Sequence, residues 1–300
     1  MVDIVRTPQD RFTDLPGFPW ESRYVDGIAV DDATVRLARI DEGSGHPVVL
    51  LHGEPTWSFL WRTVIPPLLA AGLRVVAPDH IGFGRSDKPT DRTWFSYDRL
   101  VAAHTAHLAA LDIAEPVTLV VHDWGGPIGL RWAMEHSDRV ARLVILDTGL
   151  YAPGGRASEA WLKFRHFVER SSTLPVSFLV DGATTRDLSD AEKAAYDAPF
   201  HVDAAHAGAL ALPCLVPMTD DDPGAAESWA TLQALKKWTK PTLILWGGDD
   251  VILPSKIGKR WSEEIPGSVG FEELAGGHHF LQEDVGVTIG DRIATFVADT

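Results

Sequence analysis

Hydrophobic positions along this chain follow two alternating rhythms. Short, continuous apolar runs rich in β-branched residues occur at 47–51, 75–77, 117–121, 143–146 and 242–246. Runs of that length read as strands buried on both faces. Between them apolar residues return at helical spacing, as in 128–135. Strands alternating with helices predict a mostly parallel sheet wrapped by helices, with functional groups at the carboxyl ends of the strands. The alternation stops from about Leu150 to about Ser228. That stretch is rich in Ala, Asp and Pro, carries helical segments at 158–169 and 189–195, and shows no strand pattern. Its place before the last strands predicts a helical lid over the sheet: residues 150–228 as a cap, 1–149 and 229–300 as a core. No internal repeat or low-complexity tract interrupts this plan.

Composition narrows the class. With 45% hydrophobic and 23% charged residues among 300, the chain fits a soluble globular protein. No apolar run is long enough to span a bilayer. The polar start at 1–16 does not read as a secretory signal. The single cysteine, Cys214, excludes an internal disulfide and is consistent with a cytoplasmic setting. A net charge of −15 argues against nucleic acid and anionic membranes as partners, and its plainer reading is solubility. Expected quaternary structure is a monomer or a weak homo-oligomer.

The most informative stretch is Val121-His122-Asp123-Trp124-Gly125-Gly126. A strand before it and a helix after it place Asp123 at the apex of a nucleophile elbow. The usual elbow residue is Ser, which must be deprotonated before it attacks. A carboxylate with a reference pKa of about 3.9 is already an anion at neutral pH. It can displace a leaving group from carbon and form an ester. The plain alternative is a helix cap, a common use of Asp. An acid and a His follow in α/β-hydrolase order. Trp246-Gly247-Gly248-Asp249-Asp250 closes a strand, and Gly276-Gly277-His278-His279-Phe280 opens a late loop. Upstream, His52-Gly53-Glu54-Pro55 follows another buried strand. In an elbow enzyme such a loop supplies one backbone N–H of an oxyanion hole, here Glu54, and the residue after the nucleophile, Trp124, supplies the other. His52 and His122 read as loop-supporting residues.

Taken together, these segments resemble the haloalkane dehalogenases of the α/β-hydrolase superfamily. The resemblance runs over nearly the whole chain. It includes His52-Gly53-Glu54-Pro55-Thr56-Trp57, Gly82-Phe83-Gly84-Arg85-Ser86-Asp87-Lys88-Pro89, the elbow, Tyr196-Asp197-Ala198-Pro199-Phe200 and 279–284. It implies an α/β-hydrolase fold with the helical cap inserted after the sixth strand. It also implies hydrolysis of small apolar haloalkanes to alcohol and halide, with water as co-substrate and neither cofactor nor metal. Asp123 would attack the halogen-bearing carbon, the Trp124 indole would hold the halide, His279 would activate water, and Asp250 would orient His279.

Two departures stand out. The family pairs the elbow Trp with a Trp on the first cap helix in a Phe-x-x-Trp arrangement, whereas this chain reads Trp161-Leu162-Lys163-Phe164. The halide site then needs Trp161 to reach in as the second donor, or Trp161 is plain core. Glu54, if ionised, cannot donate. The second departure is Asp147, which stands where a neutral Asn is expected and rivals Asp250 as the catalytic acid; the local pattern favours Asp250. An epoxide hydrolase would use the same Asp–His–Asp set but needs cap donors, and only Tyr151 and Tyr196 are on offer. A non-catalytic binding protein would have no use for all three groups.

Overall fold

The computed structural model describes residues 2–300. Its centre is an eight-stranded sheet. In chain order the strands are β1 (Arg23–Val30), β2 (Ala33–Glu42), β3 (Pro47–Leu51), β4 (Arg74–Pro78), β5 (Val117–His122), β6 (Val140–Leu146), β7 (Thr242–Gly247) and β8 (Ser268–Leu274). They lie in the order β8-β7-β6-β5-β3-β4-β2-β1. β1 and β2 pair antiparallel, as do β2 and β4, and every other pairing is parallel. The helices are α1 (Ile65–Ala70), α2 (Tyr97–Ala109), α3 (Gly125–Glu135), α4 (Glu159–Glu169), α5 (Val176–Asp181), α6 (Asp190–Asp197), α7 (Ala207–Leu215), α8 (Ala225–Leu235), α9 (Lys256–Glu264) and α10 (Leu281–Asp299). This is the mostly parallel, helix-wrapped sheet expected from the alternating pattern, in the α/β-hydrolase arrangement that the resemblance implies.

The central strands show why their sequences are apolar without interruption. Val48, Leu50, Val75, Ala77, Val120, Val144 and Leu146 point into one apolar cluster. Their neighbours Val49, Leu51, Val76, Leu119, Val121, Leu143 and Ile145 point into a second cluster on the other face. Alternate side chains leave a strand on opposite faces, so a sheet covered by helices on both sides needs apolar residues at every position. The pattern missed β1, β2 and β8. β1 and β8 are the two edges of the sheet and are mostly partly exposed, so their runs are mixed with polar residues. β2 alternates with Arg and Asp, which blurs its signal further.

Four helices, α4 to α7, fill the connection between β6 and α8. Ser158 caps α4 by accepting the Trp161 N–H, and Ser189 begins α6 with a reciprocal capping box to Glu192. Val168, Val176, Val180, Tyr196, Leu210 and Leu212 from this insertion join the same apolar cluster as Trp57, Phe59 and Trp124. The insertion therefore sits on the face of the core that carries the elbow residue Trp124.

Candidate active site

The chain leaves β5 at His122 and turns into α3 within two residues. Asp123, at the turn, has φ of +46°, a left-handed conformation that costs energy in a residue with a Cβ. The turn is held from both sides: Asp123 N–H donates to Asp147 O at 3.1 Å, and Thr148 Oγ1 donates to Asp123 O at 2.6 Å. The close approach is possible because the neighbours are small. A Cβ on Gly53 would stand 2.3 Å from the Asp123 Cβ, and one on Gly125 would stand 2.3 Å from Leu51 O. Gly53 thus lets the loop after β3 lie directly against the elbow.

That contact brings two donors to one carboxylate. Glu54 N–H donates to Asp123 Oδ1 at 2.8 Å, and the Trp124 N–H also bonds the Asp123 carboxylate. These are the two backbone groups the sequence nominated for an oxyanion hole. Burial pushes the Asp123 carboxyl up, but His279 and these N–H groups outweigh it and hold the group below the ordinary carboxylate value. Asp123 is an anion at neutral pH.

His279 arrives from the far end of the chain, on the loop between β8 and α10, where Gly276 takes φ of +78°. Its Nε2 stands 3.7 Å from Asp123 Oδ2, beyond hydrogen-bond length, and its Nδ1 lies 2.9 Å from Asp250 Oδ2. With a carboxylate at Nδ1, that nitrogen carries the proton and Nε2 faces Asp123. Burial works against a charged imidazole here, yet the Asp250 and Asp123 carboxylates more than offset it and raise His279 well above the usual histidine value. His122 Nε2 is 2.8 Å from His279 O and braces the loop. Burial pushes His122 down to about 4, so it is neutral and its Nε2–H is the donor.

Asp250 follows β7. Its Oδ1 accepts Ile252 N–H at 2.7 Å and Leu253 N–H at 3.0 Å. Burial opposes its charge, but His279 and these bonds win and hold it near 2. Asp147, the rival acid, is fully buried at the end of β6 and accepts Gly247 N–H with both oxygens, at 3.1 and 3.0 Å. The His279 Nδ1 is paired with Asp250 and not with Asp147.

The structure does not bring every nominated residue together. Phe164 packs against the cluster that holds Trp124, whereas Trp161 does not. The Trp161 ring is partly exposed and lies under the Arg165 guanidinium, 5.6 Å away. Both rings are only partly exposed, and of the two it is Phe164 that joins the cluster around Trp124. Glu54 also differs from its simplest reading. Burial and the nearby Asp123 charge push its carboxyl well above the ordinary value, so it is neutral and its O–H can donate. Among the described residues, no cluster of three or more His, Cys, Asp or Glu is placed to hold a metal ion. No described helix is long and apolar enough to cross a membrane.

A buried ionic group behind His279 escaped the sequence reading. Glu283, on the first turn of α10, accepts from Arg62 through both oxygens and from Arg186 and Tyr196 Oη. Arg62 Nη2 also reaches Glu192 Oε1 on α6 at 2.7 Å. The group ties the His279 loop to the insertion. No local sequence signal marks it, since Arg186 and Glu192 stand in polar segments whose charges read as solvated surface.

Known proteins share this fold and nearly the whole length of this chain. The family model for the α/β-hydrolase fold matches residues 46–177. A haloalkane dehalogenase of Mycobacterium marinum is 45% identical over 98% of this chain and 100% of its own length. The chain belongs to the haloalkane dehalogenases. A second member, from Psychrobacter cryohalolentis, is 39% identical over 99% of this chain and 98% of its own. The structure of a haloalkane dehalogenase from Paraglaciecola agarilytica, described as tetrameric, superposes with a TM-score of 0.90 at 32% identity, covering 97% of each chain. Family membership thus rests on relatives matched from end to end, which include the cap segment as well as the elbow.

Proposed function

We propose that this dehalogenase hydrolyses small haloalkanes in two steps through an ester on Asp123. The observation that carries the reading is one carboxylate, held by the Glu54 and Trp124 N–H groups, facing a His279–Asp250 pair. In the first step Asp123 Oδ2 attacks the carbon, a C–O bond forms, and the halide leaves with the bonding electron pair. The Trp124 indole, itself nearly buried, donates to the departing anion, because an unpaired charge in an apolar pocket is costly. Alkylation removes the Asp123 charge, one of the causes that hold a proton on His279, and so favours the neutral imidazole needed next. In the second step His279 Nε2 takes a proton from water as the water oxygen attacks the Asp123 Cγ. Oδ1 becomes the oxyanion, already bonded by the Glu54 N–H, with the Trp124 N–H on the same carboxyl group. Collapse releases the alcohol and restores the carboxylate. The balance is haloalkane plus water to alcohol, halide and a proton.

The insertion at 150–228 acts as the cap over this site, with the core at 1–149 and 229–300. α8 crosses that boundary, so the chain returns to the core within a helix. An epoxide reaction would need cap hydroxyls at the ring oxygen. Tyr196 Oη is committed to Glu283 deep in the protein, and Tyr151 Oη bonds Asp220 at the exposed surface. Neither is free to serve.

The test is His279→Gln beside Asp123→Ala. With a bromoalkane, His279→Gln should release about one equivalent of bromide per protein and then stop, and peptide mass spectrometry should find the alkyl group on Asp123. Asp123→Ala should lose turnover by several powers of ten and carry no adduct. Steady bromide release from Asp123→Ala would overturn the mechanism.

A further inference from the structure

The mechanism leaves the buried carboxyl beside the acid Asp250, that of Asp147, without a role. Asp147 is fully buried at the end of β6, in a left-handed conformation (φ +27°) that its backbone contact with Asp123 helps to hold. Its side chain bonds to the turn that carries Asp250: Asp147 accepts the Gly247 N–H, and Asp250 N–H donates to Gly247 O at 3.4 Å. The two carboxyl groups thus meet at Gly247, close enough that each alters the other's ionisation. Two carboxyls this close and out of water cannot both be ionised, so they hold one proton between them.

The donors around them decide which one holds it. Asp250 is faced by Ile252 N–H, Leu253 N–H and the Nδ1–H of His279, a set that stabilises a carboxylate. Asp147 is faced by one backbone N–H, shared between its two oxygens. We propose that Asp147 is a positioning residue that keeps its proton and donates it to Asp250, turning the Asp250 carboxylate so that Oδ2 stays on His279. An Asp in this place then does what a carboxamide N–H would do, and the substitution for Asn noted in the sequence is conservative in hydrogen bonding. Burial and the Asp250 charge both push Asp147 well above the ordinary carboxyl value, in line with this assignment. The functional part rests on the two-step reading above; the location of the proton does not.

The experiment therefore has two arms. Infrared difference spectra of the resting wild type against Asp147→Asn, with isotopically labelled aspartate, should show loss of a protonated-carboxyl stretch at neutral pH. Loss of only carboxylate bands would overturn the proposal, whatever the enzyme's chemistry. Rapid-quench kinetics on a bromoalkane form the second arm. Asp147→Asn should keep ester hydrolysis within about threefold of wild type. Asp147→Ala should slow hydrolysis by about ten- to a hundredfold while leaving ester formation nearly unchanged, since a hydrogen bond to a charged group is lost. Equal rates of hydrolysis in Asp147→Ala and wild type would overturn the positioning role. If Asp147→Ala does not fold, the infrared arm on Asp147→Asn decides. Absence of any adduct in His279→Gln would remove the two-step reading and leave the infrared result standing.

Discussion

The elbow and the first helix of the insertion, α4, are both places where an aromatic residue meets the reaction space, and they behave differently. At the elbow, backbone geometry leaves Trp124 no choice: it follows Asp123 in a turn pinned by Asp147 O, Thr148 Oγ1 and glycines without room for a Cβ. On α4, three residues separate Trp161 from Phe164, and which of them turns inward depends on how the helix is rotated against the core. The lesson is that a side chain fixed by a strained turn can be assigned a direction from its motif, whereas a side chain on an amphipathic helix needs the packed structure.

The contrast can be tested first through acid stability, where the largest effect is expected. His52, His80, His104, His107 and His122 are all buried in the core, and burial lowers each of them, His52 and His122 to about 4 and His104 and His107 to about 3. They are neutral in the fold and protonated in the unfolded chain below about pH 6.5. The unfolded state then binds more protons, so stability falls as pH drops from about 6.5 toward the folded values near 3–4. Each contributes up to about 1.4 kcal/mol per pH unit across that window. Of the histidines in the insertion, only the buried His206 adds to this effect. Urea midpoints should fall by several kcal/mol equivalents between pH 7.5 and 5.5; an unchanged midpoint would contradict the burial of these rings as neutral groups.

The next effect concerns the bond between the two regions. Removing the charge of Glu283 leaves the buried Arg62 partly unpaired and frees Tyr196. Breaking one side of a buried ion pair costs about 3–5 kcal/mol. Glu283→Gln should lower the melting temperature accordingly and speed proteolysis within 150–228. An unaltered melting temperature would mean that the apolar cluster alone holds the insertion to the core.

The smallest effect is also the sharpest comparison. Trp124→Phe removes an indole donor beside the nucleophile and should weaken bromide inhibition of turnover by about ten- to a hundredfold. Trp161→Phe changes a partly exposed ring stacked on Arg165 and should alter bromide inhibition by less than about twofold, as exposed substitutions usually do. Phe164→Trp should tighten bromide binding, because it puts an indole against the cluster that holds Trp124. A large loss in Trp161→Phe would show that Trp161 is the second halide donor.

Residue order along the chain was enough to identify much of this protein. Continuous apolar runs reported strands buried on both faces, and the loss of that rhythm after Leu150 reported the helical insertion. The elbow at 121–126 carried its own local geometry and pointed to Asp123, while the resemblance to the dehalogenases singled out Asp250 beside Asp249 and His279 beside His278. Three things depended on tertiary structure. The direction of Trp161 and Phe164 follows from the rotation of α4 on the core, which short-range periodicity does not specify. The neutrality of Glu54 and Asp147 follows from burial beside Asp123 and Asp250, since the ordinary carboxyl values describe groups in water. The Glu283 group joins residues 62, 186, 192, 196 and 283, whose charges look like solvated surface until the fold removes the water between them. A residue type and its neighbours in sequence set local conformation; dielectric environment and long-range pairing exist only once the chain has closed on itself.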